Sequence, residues 1–182
     1  MKESLASKFE RLDKISAEFT GNTPLIEVTD DKREGARIFA KLEWHNMLSF
    51  SLKDRGACSM LKAAIKEADS KGKDRVHALE YTGGSQGVAL SILGGILDIP
   101  MTLIVPGAVA ESFAKQLTLY GARVIRTEAE KGFLATIQKA EEMAQKDEDI
   151  SLLHQQHNLA NLEAFEEGMA GEILSQLQEM GI

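Results

Sequence analysis

The chain has 182 residues, of which 43% are hydrophobic and 27% are charged, as in an ordinary globular domain. Its net charge of −7 argues against a nucleic-acid partner, because binding phosphates requires clustered lysine and arginine. No stretch reaches the ~20 apolar residues that cross a bilayer, so we expect no membrane partner. Residues 1–19 lack the apolar core of a secretory signal and carry acids that organelle transit peptides avoid. With Cys58 as the single cysteine, these features predict a reducing, cytoplasmic location.

Helical stripes alternate with short apolar runs along the chain. Residues 1–19 predict an amphipathic helix, Arg37–Leu42 predicts a strand, and apolar positions from Ala57 to Ala68 predict the next helix. Later strand candidates, each followed by a helical stripe, are Val76–Tyr81, Met101–Val105, Val124–Ile125 and Ile150–Leu153. This alternation predicts an α/β fold with three αβα layers and a mostly parallel, twisted sheet.

Lys53 stands in a Ser-Leu-Lys-Asp-Arg segment, after a predicted strand and at the start of a predicted helix. An amine held there away from water can form a Schiff base with an aldehyde cofactor. A single lysine is more often a solvated surface charge, so this interpretation depends on the neighbouring segments.

The glycine-rich segment Thr82–Gly87 lies between a predicted strand and a predicted helix. Ligands of open parallel sheets bind beyond the carboxyl ends of the strands, and glycines let backbone N–H groups approach an anion there. The segment therefore predicts a site for a carboxylate or a phosphate. A tight turn that needs glycine only for its geometry explains the segment about as well. It matches neither the Walker phosphate loop nor Gly-x-Gly-x-x-Gly.

A third polar segment, His154–Asn161, follows the last predicted strand. Its amide groups can donate hydrogen bonds to a bound carboxylate. His154 and His157 lie three residues apart, but no cysteine or carboxylate lies between them to complete a ligand set. We therefore expect no metal site.

Together these segments resemble the N-terminal half of cysteine synthase and cystathionine beta-synthase, which are pyridoxal-phosphate enzymes of the tryptophan-synthase-beta fold (fold type II). The resemblance extends from about Ile15 onward. It is carried by Gly21–Leu25 (Gly-Asn-Thr-Pro-Leu), Ser51–Arg55, Thr82–Gly87, Tyr120–Ile125 and Gln155–Asn161.

The resemblance implies that Lys53 is the lysine bonded to pyridoxal 5'-phosphate and the proton carrier at the substrate alpha carbon. Ser85 stands where the family has an asparagine that contacts the cofactor's ring hydroxyl. The implied reaction is β-elimination or β-replacement on an activated serine, a small amino-acid substrate of sulfur amino acid metabolism. The substrate carboxylate would be bound by Thr82, Gly83, Gly84, Ser85, Gln86 and Gln155.

Several features depart from the family pattern. The family's Thr-Ser-Gly-Asn-Thr-Gly is Thr-Gly-Gly-Ser-Gln-Gly at Thr82–Gly87, and Phe50 occupies a position where the family has glycine. The chain stops at Ile182, where the family enters the domain that grips the cofactor phosphate. We therefore expect a truncated, impaired protein with weak or absent cofactor binding on its own. We also expect a homodimer or a complementing chain.

The same resemblance divides the chain into three parts. Residues 1–36 would be a helix and a strand (Leu25–Val28) that pack on the second domain. Residues 37–155 would form a small α/β domain that carries the lysine and the carboxylate loop, and 156–182 would begin the truncated second domain.

Alternative interpretations stay open at this point. A non-catalytic scaffold or partner-binding remnant of the family is the first, because the carboxylate loop is altered and the second domain is absent. A nucleotide-binding Rossmann-like domain is the second. Threonine synthase and the serine or threonine dehydratases share part of the motif around Lys53, although Asp54 is unusual for the dehydratases.

Overall fold

The computed structural model describes residues 3–29 and 35–182. The strands are β1 (Leu25–Glu27), β2 (Phe39–Lys41), β3 (His77–Tyr81), β4 (Met101–Val105), β5 (Arg123–Arg126) and β6 (Ile150–Leu152). The helices are α1 (Leu5–Phe19), α2 (Lys53–Ser70), α3 (Ser85–Leu97), α4 (Glu111–Leu119), α5 (Leu134–Lys146), α6 (Leu159–Glu163) and α7 (Ala170–Glu179). A π-helical segment, Ala164–Met169, lies between α6 and α7, and short 3-10 turns lie at Glu43–His45 and Ala129–Lys131.

Four strands form a parallel sheet in the order β5-β4-β3-β6. Ala78 lies opposite Met101, and Thr102 opposite Arg123. The central strand β4 is buried along its whole length, as its continuous apolar run predicts. The predicted α/β fold with a parallel sheet is confirmed.

Helices cover the sheet on both faces. Side chains of β3 alternate, so that Ala78 packs with α1, α2 and α3, whereas Leu79 and Tyr81 pack with α5 on the other face. Leu5 and Leu12 bury α1 against the first of these layers. The predicted helix over 1–19 is therefore part of the same core, apart from residues 1–2, which lie outside the described residues.

A buried lysine ties α1 to the end of α3. Lys8 is 8% exposed, and its Nζ donates to the backbone carbonyls of Leu97 and, at 2.7 Å, of Asp98. The last carbonyls of a helix have no intrahelical partner and carry partial negative charge. The Lys8 ammonium group gives them hydrogen-bond donors and an opposite charge.

Strands β1 and β2 form a separate antiparallel ribbon, in which Leu25 lies opposite Lys41. The strand predicted at 37–42 is present over Phe39–Lys41, and it pairs with β1 and not with the parallel sheet. The ribbon is instead a local pairing, supported by two hydrogen bonds from Arg37 to the Glu27 carboxylate at 2.8 and 3.0 Å.

The chain ends in a helical run that begins at α6. Asn158 caps it, because its side-chain oxygen accepts a hydrogen bond from Ala160 N at 3.0 Å. The sequence predicts one helix over Leu162–Leu177, and the structure inserts the π-helical segment into it. Over the described parts of the chain, no helix is long and apolar enough to span a bilayer.

Candidate active site

Three predicted segments meet at the carboxyl edge of the parallel sheet. β3 leads into Thr82–Gly87, β6 leads into the His154–Asn161 segment, and the first turn of α2 lies against both. The closeness shows at Gly56 in that first turn. A Cβ placed on Gly56 would lie 2.0 Å from Asn161 Oδ1 and 4.0 Å from Gln86 Oε1.

Lys53 is the first residue of α2 and is half-buried. Its backbone N–H donates to Ser51 Oγ at 3.1 Å, which fixes where the helix begins. Within residues 3–29 and 35–182, no carboxylate lies within 4.0 Å of Lys53 Nζ. The amine is therefore not committed to an ion pair in the described structure.

Asp54 shapes the loop that precedes the lysine. Its buried carboxylate accepts hydrogen bonds from Leu48 N at 2.8 Å, from Ser49 N at 3.0 Å and from the Ser49 hydroxyl. Burial raises the pKa of Asp54, and these hydrogen bonds oppose the rise. The bonds hold the turn through Phe50, whose φ of +55° lies in the left-handed region.

The Thr82 hydroxyl stabilises the glycine turn through hydrogen bonds within it. It accepts hydrogen bonds from Gly84 N and Gly87 N, both at 3.2 Å, and the side chain is 2% exposed. The hydroxyl is therefore engaged within the loop in this structure. Its predicted contact with a substrate carboxylate stays a prediction.

The backbone at Gly83 and Gly84 does not itself require glycine. Neither residue has a positive φ, a Cβ on Gly84 would meet nothing within 4 Å, and one on Gly83 would come no closer than 3.9 Å to another atom. The missing side chains leave an open strip of backbone at the start of α3, whose first residues are Ser85 and Gln86. The first N–H groups of a helix lack intrahelical partners and attract an anion.

Gln86 is the least satisfied polar side chain at this edge. It is 3% exposed, and neither its side-chain oxygen nor its nitrogen has a hydrogen-bond partner among the described residues. Asn161 Oδ1, which also lies against Gly56, is likewise buried and unpaired. Buried polar atoms without partners are costly, which makes this part of the edge suited to a polar ligand group.

Gln155 is held at the end of β3. Its side-chain nitrogen donates to Tyr81 O at 2.9 Å, and its backbone N–H donates to Glu80 Oε2 at 3.1 Å. The preceding residue, His154, has a φ of +55° and shares a 2.7 Å hydrogen bond with the Tyr81 hydroxyl. Burial and the nearby His157 lower the pKa of His154. In the described part of the chain, no group of three or more side chains could hold a metal ion.

A buried ionic cluster lies behind the lysine. Arg55 is 6% exposed and bonds to both oxygens of Glu43, at 2.7 and 2.8 Å, and of Glu172, at 2.7 and 2.8 Å. Lys41 adds a 2.8 Å contact to Glu172. These bonds hold the pKa of Glu172 down, to about 2, against the opposing effect of burial. The cluster fixes the start of α2 against α7 and β2.

The comparisons define the class of protein. A family model described as pyridoxal-phosphate dependent enzyme matches residues 17–181, so the chain belongs to the pyridoxal-phosphate-dependent enzyme family. Its curated relatives include cysteine synthases. The chain is 33% identical over 166 residues to cysteine synthase B of Campylobacter jejuni, covering 91% of this chain and 53% of that protein. It is 36% identical over 156 residues to cysteine synthase A of Escherichia coli, covering 84% and 46%.

Solved structures agree with the sequence relatives. A hydrogen sulfide-producing enzyme of Fusobacterium nucleatum superposes with a TM-score of 0.80 at 31% identity, covering 95% of this chain and 51% of that one. Cysteine synthase of Entamoeba histolytica gives a TM-score of 0.78 at 28% identity, covering 88% and 48%. The predicted resemblance is confirmed, and the chain spans about half the length of the curated relatives it matches.

Sequence reasoning missed Glu80 and gave no role to the buried amide of Asn161. Glu80 is an acid inside a strand that is buried from Ala78 to Tyr81, and an acid in such a strand is the feature that could have singled it out. Asn161 sits in a polar segment where no single residue stands out, so its position against Gly56 becomes visible only in the fold.

Proposed function

We propose that this chain provides the lysine-bearing and carboxylate-binding part of a cysteine-synthase-like pyridoxal-phosphate enzyme. The reaction would be β-elimination or β-replacement on an activated serine. The half-length match to cysteine synthases leads us to propose that a second copy or a complementing chain supplies the remaining anchoring of the cofactor phosphate. The single cysteine, Cys58, is a buried free thiol, which fits the cytoplasmic location that we also propose.

One observation carries this proposal. Lys53, at the start of the helix whose first turn lies at this sheet edge, is half-buried and has no carboxylate partner among the described residues. The backbone at Gly83 and Gly84, which we call the glycine strip, is open there: among the described residues, a Cβ added at Gly84 would meet no atom within 4 Å. An aldehyde cofactor needs such an amine, and an anionic substrate needs such a strip beside a helix start. The residues present therefore fit the reactive end of pyridoxal phosphate.

Each group would have a separate task in the reaction. When bound, the cofactor supplies an electron sink for charge that develops at the substrate alpha carbon. Lys53 would hold the cofactor and afterwards carry the proton at that carbon. The Thr82–Gln86 loop, with Gln155, would bind the substrate carboxylate and fix the orientation of the alpha carbon. Ser85 would contact the cofactor ring.

Product formation tests the proposal. The chain is mixed with pyridoxal phosphate, O-acetyl-L-serine and sulfide, and cysteine is measured for the native chain and for Lys53→Ala. Lys66→Ala is the matched control, because Lys66 is an exposed lysine of the same helix. We expect slow cysteine formation from the native chain and from Lys66→Ala, because this part of the enzyme anchors the cofactor incompletely, and none above background from Lys53→Ala. Equal rates in all three proteins would contradict the proposal.

A non-catalytic, partner-binding role is the second candidate. Ile26, Val28 and Ile38 on or beside the β1–β2 ribbon are each more than 40% exposed, which is unusual for three neighbouring apolar side chains. A chain that binds a full-length cysteine synthase but forms no cysteine, alone or in the mixture, would favour this candidate over catalysis.

A further inference from the structure

Glu80 is a fully buried carboxyl group in the strand that leads to the glycine turn. It is 0% exposed and precedes Tyr81, the last residue of β3. Because neighbours in a strand point to opposite faces, Glu80 lies on the face covered by α1, α2 and α3, as Ala78 does. This is the layer that contains the lysine-bearing helix.

The two carboxylate oxygens of Glu80 each accept one backbone N–H. Oε1 accepts from Tyr81 N at 2.9 Å and Oε2 from Gln155 N at 3.1 Å. Among the described residues, no cation forms an ion pair with Glu80. Burial raises its pKa to about 8.

These bonds replace a missing rung of the parallel ladder. Leu153 N donates to Leu79 O at 2.8 Å, so the next rung, two residues on in each strand, would join Gln155 N to Tyr81 O. The left-handed backbone of His154 turns the chain away before that rung can form. Two side chains supply the partners that the lost rung leaves without a bond. The Glu80 carboxyl group accepts from Gln155 N, and the side-chain amide of Gln155 donates to Tyr81 O.

We propose that Glu80 is a positioning residue, which fixes Gln155 at the mouth of the candidate site. Its carboxyl group accepts the hydrogen bond from Gln155 N that Tyr81 O would accept if the strand continued. The functional part of this inference rests on the proposed role of Gln155 in binding the substrate carboxylate. The exchange of bonds lets the chain leave the strand while Gln155 keeps a defined place beside the glycine turn.

Amide hydrogen exchange of the full chain, measured by NMR, tests the positioning directly. Glu80→Gln keeps the shape of the side chain but leaves one acceptor oxygen for two N–H groups. Above pH 8, where Glu80 is ionised, we expect the backbone amide of Gln155 to exchange at least ~10 times faster in Glu80→Gln, equivalent to losing about 1.4 kcal/mol of local stability. Leu153, bonded to the intact rung, should keep its rate, and Glu142→Gln, an exposed carboxylate on α5, should change neither amide.

A second measurement needs no variant. In the native chain, the Gln155 amide shift should follow the carboxyl carbon of Glu80 through its titration near pH 8. The neighbouring titrating groups leave this range clear, because the pKa of His154 is lowered and that of Tyr81 is raised to about 12. The proposal would be overturned if the backbone amide of Gln155 kept its chemical shift through the Glu80 titration and its exchange rate in Glu80→Gln.

Ligand binding separates this inference from the proposed function. With pyridoxal phosphate present, the dissociation constant for O-acetyl-L-serine should rise at least ~10-fold in Glu80→Gln if Gln155 binds the carboxylate. Weaker binding together with faster exchange of the Gln155 backbone amide supports both ideas. If the native chain does not bind O-acetyl-L-serine, the proposed function fails, and the amide measurements alone still decide the role of Glu80.

Discussion

Phe50 combines an exposed ring with a backbone conformation that suits glycine. Its φ is +55° and the residue is 70% exposed, so little burial offsets the strain. The left-handed conformation costs a non-glycine residue about 1–2 kcal/mol. The turn persists because the Asp54 carboxylate holds both Leu48 and Ser49.

We predict that Phe50→Gly raises the free energy of unfolding by about 1 kcal/mol, because it removes this strain. Urea denaturation followed by circular dichroism measures the change. Phe50→Ala is the control, since it deletes the ring but keeps the Cβ that causes the strain. An equal gain from Phe50→Ala would mean that the exposed ring, and not the backbone, is the source.

Gly84 is a position where a larger residue would affect a bound ligand but not the fold. A Cβ there meets no protein atom within 4 Å, whereas one on Gly87 would lie 2.5 Å from Thr82 Cγ2. We therefore predict that Gly84→Ala leaves the melting temperature unchanged but weakens binding of O-acetyl-L-serine about tenfold or more. Gly87→Ala should instead lower the melting temperature. Unchanged binding in Gly84→Ala would show that the backbone at Gly83 and Gly84 does not contact the ligand.

At the scale of elements, the Arg55 cluster joins α7 to three elements from much earlier in the chain. Arg55 of α2 bonds to Glu43 of the 3-10 turn and to Glu172 of α7, and Lys41 of β2 joins the same carboxylate. Removing one member would leave buried charges without partners, which costs more than the loss of a surface ion pair.

The lowered pKa of Glu172 sets the sign of a pH dependence. The folded protein keeps this carboxyl ionised down to about pH 2, whereas the unfolded chain takes up the proton near the ordinary value of 4.5. Its contribution to stability is therefore fully present above pH 4.5 and is lost as the pH falls toward 2. Because Glu172 is partly exposed, we put this contribution at about 2 kcal/mol.

We predict that Glu172→Gln lowers the free energy of unfolding by about 2 kcal/mol at pH 7 and leaves it nearly unchanged at pH 2. Urea denaturation across this pH range measures the difference. Glu67→Gln is the control, because Glu67 is a largely exposed partner of Lys71. A constant difference between native and Glu172→Gln proteins at every pH would contradict the ionic account.

The elements themselves show what the sequence can and cannot predict. The strand Met101–Val105 matches its predicted bounds, because a continuous apolar run between two prolines has few other structures open to it. The pattern at 37–42 predicts strand β2 but not its sheet, because its pairing with β1 depends on a partner 14 residues earlier and not on its own pattern. The π-helical segment carries no period that distinguishes it from an ordinary helix.

The site was predictable to a similar degree. The edge at which Thr82–Gly87 and Gln155 meet follows from the rule for parallel strands. The rule does not place Lys53, because the preceding strand, β2, lies outside the parallel sheet. The bonds between Glu80 and Gln155 depend on the positive φ of His154, and histidine gives no warning of that conformation. The sequence therefore predicts which loops form the candidate site, but it does not predict the hydrogen bonds among their side chains.

At the scale of the whole molecule, the chain matches about half of each cysteine synthase relative. The division into 1–36, 37–155 and 156–182 stays a prediction, and α1 packs within the main core through Leu5 and Leu12. The ribbon and α7 carry the apolar side chains that a further domain or chain would cover. Those most exposed are Ile26, Val28, Ile38 and Leu174.

We predict that the working protein is larger than one copy of this chain. A second copy or a complementing chain would bury the exposed apolar side chains of the ribbon and α7. Sedimentation velocity over a range of concentrations, with cysteine formation assayed on each species, measures this directly. A monomer with undiminished activity at every concentration would contradict it.

Lys53 is the residue that we propose bonds to the cofactor, and the proposed reaction depends on it more than on any other side chain. The chain is incubated with pyridoxal phosphate and reduced with borohydride, and the modified lysine is located by mass spectrometry of peptides. We predict one labelled peptide, containing Lys53, which persists in Lys66→Ala and disappears in Lys53→Ala. A label spread over surface lysines, or retained in Lys53→Ala, would contradict the account.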